Sequence, residues 1–78
     1  MTLEIISAHD VLYRGETDMV TLPGALGSFT VLKNHAPLIS VLTKGKVKYF
    51  SETEGEHELE VKGGLVDVLD NKVTVCVY

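Results

Sequence analysis

The chain has 78 residues, 45% hydrophobic and 23% charged, with two prolines and one cysteine. That length allows one domain, expected over residues 1–78, and excludes separate catalytic and cofactor domains; the lone cysteine excludes an internal disulfide framework, and the apolar fraction excludes a disordered chain. A formal charge of −4 argues against nucleic acid as a partner, because its binders draw most of their affinity from neutralising phosphates.

Alternation of apolar and polar residues runs through the whole chain. It predicts a first strand over residues 3–7 and a short second piece over 11–14, before Gly15. A third strand over 18–22 is expected to stop at Pro23-Gly24, and a fourth over 28–33 puts Phe29 and Val31 on one face. Asn34-His35-Ala36-Pro37 interrupts the pattern, since a proline biases the residue before it away from helix. The segment 38–43 is apolar and half β-branched, ending at Lys44-Gly45. Residues 46–52 alternate with Val47 and Tyr49 inward and Lys46 and Lys48 outward, and a turn at 53–55 returns the chain over 57–62. Gly63-Gly64 signals a bulge or a close backbone approach. Residues 65–69 and 72–78 complete the series across Asp70-Asn71, with Val73, Val75 and Val77 facing one way. Eight or nine short strands with turns every eight to ten residues indicate an all-β sandwich or barrel without a helical domain. No apolar run nears the roughly 20 residues of a membrane-spanning helix. Met1 leads directly into the first strand with no signal-peptide pattern, so the chain reads as cytosolic.

Motifs that would carry chemistry are missing. His9, His35 and His57 are far apart in sequence, and neither they nor Cys76 have zinc-site spacing, so no metal is expected. Lys44-Gly45-Lys46 lacks the upstream glycine and following hydroxyl of a phosphate-binding loop. Gly24-Ala25-Leu26-Gly27 carries no dinucleotide fingerprint and reads as a tight turn. Ser28 and Ser40 have no nucleophile-elbow motif around them and read as surface serines. No catalytic residue and no cofactor are expected. Glu52, Glu54, Glu56, Glu58 and Glu60 occupy every second position and share one face wherever the chain is extended. A three-residue loop at 53–55 would set Lys48 opposite Glu60. This series reads as a solvated hairpin whose charges deter edge pairing, with an acidic docking ridge as the functional alternative. His35, in a loop between two apolar strands, is either polar surface or an interface residue. On the residues alone the chain is a small β domain, a binding module rather than an enzyme.

The stretch from Pro23 to Leu38, with its glycine turn, its strand Ser28-Phe29-Thr30-Val31-Leu32 and its His35-Ala36-Pro37-Leu38, resembles the amino-terminal domain of the epsilon subunit of F-type ATP synthases. Leu3-Glu4-Ile5-Ile6-Ser7-Ala8, Gly45, Gly63-Gly64 with Leu65-Val66-Asp67-Val68, and Val73-Thr74-Val75 match the family in order, so the resemblance runs end to end. It implies a β-sandwich of two antiparallel sheets with roughly ten strands. It also implies a non-catalytic role as a rotor subunit of the central stalk, part of a hetero-oligomeric complex. Such a domain binds the gamma subunit and the c-ring, couples proton flow to ATP synthesis, and lies peripherally on the cytoplasmic face of the bacterial inner membrane without inserting into it. By position, Ser7, His35, Leu38 and Ser40 would face gamma. Gly24, Ala25, Leu26 and Gly27, together with His35, would approach the c-ring. The rival reading is a small β-sandwich adaptor that docks another protein through the acidic series.

Two departures from the family pattern bear on these contacts. Ala25 stands where the family often has an acidic residue, and Lys33-Asn34 stands where it often has Pro-Gly; Asn34 tolerates a left-handed conformation, and Lys33 adds a positive charge beside the histidine. Most members continue into a helical hairpin that binds ATP or extends to inhibit rotation. This sequence ends where that hairpin would start. The expectation is a naturally short form, without a hairpin nucleotide site and without inhibition by hairpin extension. A rotor must hold its grip under torque, so an apolar patch is expected on one sheet face where gamma covers it.

Overall fold

Each alternating segment becomes a strand in the computed structural model, which describes all 78 residues. The nine strands are β1 (Thr2–Ile6), β2 (Val11–Glu16), β3 (Met19–Gly24), β4 (Gly27–Leu32), β5 (Leu38–Leu42), β6 (Gly45–Ser51), β7 (Gly55–Val61), β8 (Gly64–Leu69) and β9 (Lys72–Val77). They curl into two layers, one ordered β2-β1-β9-β8-β5 and the other β4-β3-β6-β7. A single backbone pairing, Gly24 opposite Leu42, joins β3 to β5 and so links the layers. Neighbours run antiparallel except β1 and β9, which are parallel with Leu3 beside Val73 and Ile5 beside Val75. The fold is all-β, as the periodicity indicates, and of the two alternatives, sandwich or barrel, it is a sandwich-like curl of one nine-stranded sheet. A parallel β1–β9 pair stands where two purely antiparallel sheets were expected.

The core lies where the inner faces of the two layers meet. Alternation sends every second side chain inward. Leu3 and Ile5 on β1, Val73 and Val75 on β9, and Val66 and Val68 on β8 are closed to solvent, as are Val20, Leu22, Val31 and Val47 from the other layer. Fully burying one such side chain is worth about 1.5–3 kcal/mol. The core contains no aromatic ring; Tyr13, Phe29 and Tyr49 pack at its margin. Tyr13 on β2 reaches Tyr49 on β6 with ring centroids 4.5 Å apart, and Tyr49 stacks on His57 of β7 at 5.8 Å. These rings close the side of the sandwich opposite the β3–β5 link. Burial, and then the nearby Glu54 carboxylate, push both phenol pKa values above their usual range.

Local chemistry explains where the strands depart from expectation. β3 continues through Pro23 instead of stopping there. The Pro23 carbonyl accepts the Thr43 N–H at 2.8 Å. A strand residue directs its nitrogen and carbonyl to the same side, so the missing donor of Pro23 faces β5, where pairing is one step long, and the β4 ladder loses nothing. At the β6–β7 turn, Gly55 takes a φ of 79° and pairs with Ser51, leaving Glu52, Thr53 and Glu54 as the loop. The Ser51 hydroxyl accepts the Glu54 N–H at 3.0 Å and fixes the turn one residue earlier than expected. The register therefore sets Lys48 opposite Glu58 and Lys46 opposite Glu60, one pair away from the Lys48–Glu60 match expected from a loop at 53–55. Gly64, at φ 154°, lies against the Cys76 carbonyl, where a Cβ has no room; the glycine pair marks a close backbone approach.

One surface contact ties three connections together. The Asp18 carboxylate pairs with the Lys33 ammonium at 2.8 Å and accepts the Glu52 N–H at 2.9 Å. The hydrogen bond from Lys33, then that from Glu52, holds the Asp18 carboxyl below its ordinary pKa, and Asp18 in turn raises that of Lys33. The charge of Lys33 is thus engaged by Asp18 rather than offered beside His35.

Candidate functional site

The side chains singled out from sequence lie in three places. Ser7 ends β1, and its hydroxyl accepts the N–H groups of Asp10 at 3.2 Å and His9 at 3.4 Å, so it shapes the β1–β2 turn. His35 projects from the β4–β5 connection. Its N–H donates to the Leu32 carbonyl at 3.2 Å, and its Nδ1 lies 2.8 Å from the Ala36 carbonyl oxygen. Asn34, left-handed at φ 61°, donates its N–H to the Asn71 side-chain oxygen at 2.8 Å and anchors this loop on the β8–β9 turn. The turn Gly24-Ala25-Leu26-Gly27 lies at the other end of β4. It is held against β5 by the Ala25 N–H bonded to the Val41 carbonyl at 2.9 Å, and Leu26 stands fully exposed at its tip. Six strand residues separate the turn from the His35 loop, about 17 Å at the usual rise. His35 and the glycine turn therefore do not form one compact contact.

Leu38 and Ser40, both assigned to the gamma-facing set, share the inward face of β5 with the buried Leu42. Leu38 packs against the core, and Ser40 pairs with the fully buried Val66. The outward side chains of β5 are Ile39 and Val41, 74% and 54% exposed. Sequence reasoning missed both, because β5 is apolar on both faces and Ser40 suggests the wrong one as polar.

Register then assembles an arrangement that no local motif contains. Val41 lies opposite Leu65, Leu65 opposite Cys76, Cys76 beside Ile6, and Ile6 opposite Val11. These five side chains form an apolar row across all five strands of one layer, on its outer face. Val11, Val41 and Leu65 are each about half exposed or more. A bulge after Ile5 inserts the exposed Leu12 beside the end of the row. The adjoining row on the same face is Ile39, Asp67, Thr74, Glu4 and Arg14, polar apart from Ile39. Ser7 follows Ile6 directly and borders the apolar row. Folding gains nothing from leaving such a row in water, which makes it the candidate docking face.

The other layer presents a different exterior. Glu56, Glu58 and Glu60 line the outer side of β7 and face Phe50, Lys48 and Lys46 across the ladder. Lys46 pairs diagonally with Glu58 at 3.1 Å. The acidic series therefore meets its own lysines within the hairpin. A shorter apolar row of Leu32, Met19 and Phe50 crosses β4, β3 and β6 and ends at Glu56. No group of three or more His, Cys, Asp or Glu side chains is placed to hold a metal ion. No helix is long and apolar enough to cross a membrane.

Known proteins match this chain over most of its length. A family model described as the ATP synthase delta/epsilon chain beta-sandwich domain matches residues 1–78. The ATP synthase epsilon chain of Bordetella parapertussis is 38% identical over 73 residues, covering 94% of this chain and 52% of that one. The epsilon chain of Leptospira borgpetersenii is 36% identical over 75 residues, 96% of this chain and 58% of that one. The chain spans about half the length of the curated relatives it matches. Among solved structures, a chain of the Euglena gracilis mitochondrial ATP synthase OSCP/F1/c-ring superposes with a TM-score of 0.89 at 18% identity, covering 96% of this chain and 48% of that one. A chain of the Tetrahymena thermophila mitochondrial ATP synthase central stalk/c-ring gives a TM-score of 0.80 at 16% identity, covering 97% and 61%. At those identities the superpositions speak for the fold alone, whereas the family model matches from the first residue to the last, and the chain belongs to the ATP synthase delta/epsilon chain beta-sandwich domain family.

Proposed function

We propose that this domain is a non-catalytic rotor element of the central stalk of an F-type ATP synthase. Through the outer face of its five-stranded layer it grips the gamma subunit, and the tip of its β3–β4 turn approaches the c-ring. In that setting it helps couple proton flow to ATP synthesis from the cytoplasmic face of the bacterial inner membrane. The single observation that carries the reading is the apolar row Val41, Leu65, Cys76, Ile6 and Val11 on a member of this family. The names of the matched epsilon chains support the same assignment. Within it, Ser7 borders the gamma-facing row, while Leu38 and Ser40 support β5 from behind. Leu26 is the side chain offered to the ring. His35 lies at the far end of β5 and can serve only a separate contact.

The test is a titration of the purified chain against gamma from the same organism at low and high salt. One-to-one binding that tolerates salt is expected, because apolar contacts are not screened as ion pairs are. Absence of binding at micromolar concentrations, or binding that collapses as salt rises, overturns the reading.

A further inference from the structure

We propose that the partner element covering the apolar row is a single α-helix laid across the strands, its apolar stripe flanked by lysine or arginine on the side of Asp67 and Glu4. The inference rests on the docking reading above and specifies what gamma must present. The row spans five strands, and four inter-strand spacings make it about 19 Å long. An α-helix rises 1.5 Å per residue, so about 13 residues cover that length.

The row runs across the strands rather than along them, and this separates the kinds of occupant. A second sheet, aligned or orthogonal, lays several strands over several rows and needs apolar side chains at every second position along each strand. Here the next position along β8, β9 and β1 is Asp67, Thr74 and Glu4. A single extended segment laid over the row would bury its own N–H and C=O groups without partners, because sheet hydrogen bonds lie in the sheet plane and not on its face. A helix satisfies its backbone internally and presents one narrow stripe. The flanking charge then sets the second requirement. Glu4 is shared with Arg14 at 3.9 Å, while Asp67 belongs to no ion pair. A cation beside the stripe meets Asp67.

Cys76 is the only thiol in the chain and sits in the middle of the row, so it reports on the occupant without alteration. In the assembled complex with gamma, single cysteines are introduced in turn along the gamma segment that becomes protected on binding, in a gamma otherwise free of cysteine. Disulfide trapping to Cys76 is then measured at each position. Trapping that recurs every three or four residues is expected, together with about tenfold weaker binding for Asp67→Lys and unchanged binding for Leu32→Ser on the other layer. If gamma binds but trapping recurs every second residue, follows no period, or leaves Cys76 as reactive as in the free chain, the helix is overturned while the stalk reading stands. If no complex forms with unaltered gamma, both fall together.

Discussion

The two layers are alike inside and unlike outside. Inward, both present valine, leucine and isoleucine closed to solvent. Outward, the β6–β7 hairpin matches Lys46 and Lys48 against Glu58 and Glu60 and is complete in water by itself. The outward side of the five-stranded layer instead aligns five apolar side chains that meet only one another. Exposed cross-strand ion pairs contribute only about 0.2–1 kcal/mol each. Their value here lies in solubility and in blocking edge-to-edge pairing by β7. Inner faces are set by folding, and outer faces record what the molecule is kept away from and what it is made to meet.

Adjacent residues of β8 break this comparison most sharply. Val66→Asp puts an unpaired carboxylate into the closed core and should abolish cooperative folding, seen as loss of a thermal transition. Leu65→Glu, one residue away on the outer face, should leave the melting temperature within a few degrees and weaken gamma binding by about 100-fold. Equal effects of the two on stability would erase the distinction between the faces. Ser7→Ala removes the acceptor of the Asp10 and His9 N–H groups and should cost about 1 kcal/mol in chemical denaturation. An affinity change larger than that would give Ser7 a direct contact with the partner. His35→Ala should barely change stability, since the side chain is exposed; a large loss of stability with assembly intact would make the loop structural.

The smallest expected effect is electrostatic and belongs to Asp18. Its carboxyl pKa is lowered in the folded chain, so its contribution is present above the unfolded value, about 3.9, and is lost as pH falls through the lower folded value. Asp18→Asn should therefore melt earlier than the parent chain near neutrality, and the two should converge in acid. A gap that persists below both pKa values would assign the effect to geometry instead of charge.

Much of the fold is legible in the sequence because burial on one face imposes a period of two, and β1, β8 and β9 keep that period without ambiguity. The limits of β3 were not legible, since the tolerance of Pro23 depends on which side its nitrogen faces, a consequence of β5 packing more than a dozen residues away in the chain. The β6–β7 register was missed by one pair because the position of the three-residue turn hinges on Gly55, which pairs with Ser51 instead of ending the loop. The apolar row was hidden for a more general reason. Period two shows that side chains alternate but not which set faces inward when both sets are apolar, as in Leu38, Ser40 and Leu42 against Ile39 and Val41. Nor do Val11, Ile6, Val41, Leu65 and Cys76 resemble a motif along the chain, since only strand order makes them neighbours.

The bonds that hold the glycine turn against β5 also give the domain a mechanical character. The Ala25 N–H donates to the Val41 carbonyl and the Thr43 N–H donates to the Pro23 carbonyl, so two short backbone links bracket Leu42 and one of them falls on Val41, where the apolar row ends. A push on Leu26 does not have to pass through the core to be felt there. The direct path to Val41 is the turn itself and one backbone hydrogen bond. The part of the surface most exposed at one end and the part most apolar on one face thus share one hydrogen-bonded corner, while the His35 loop is moored by Asn34 to the β8–β9 turn at the opposite end.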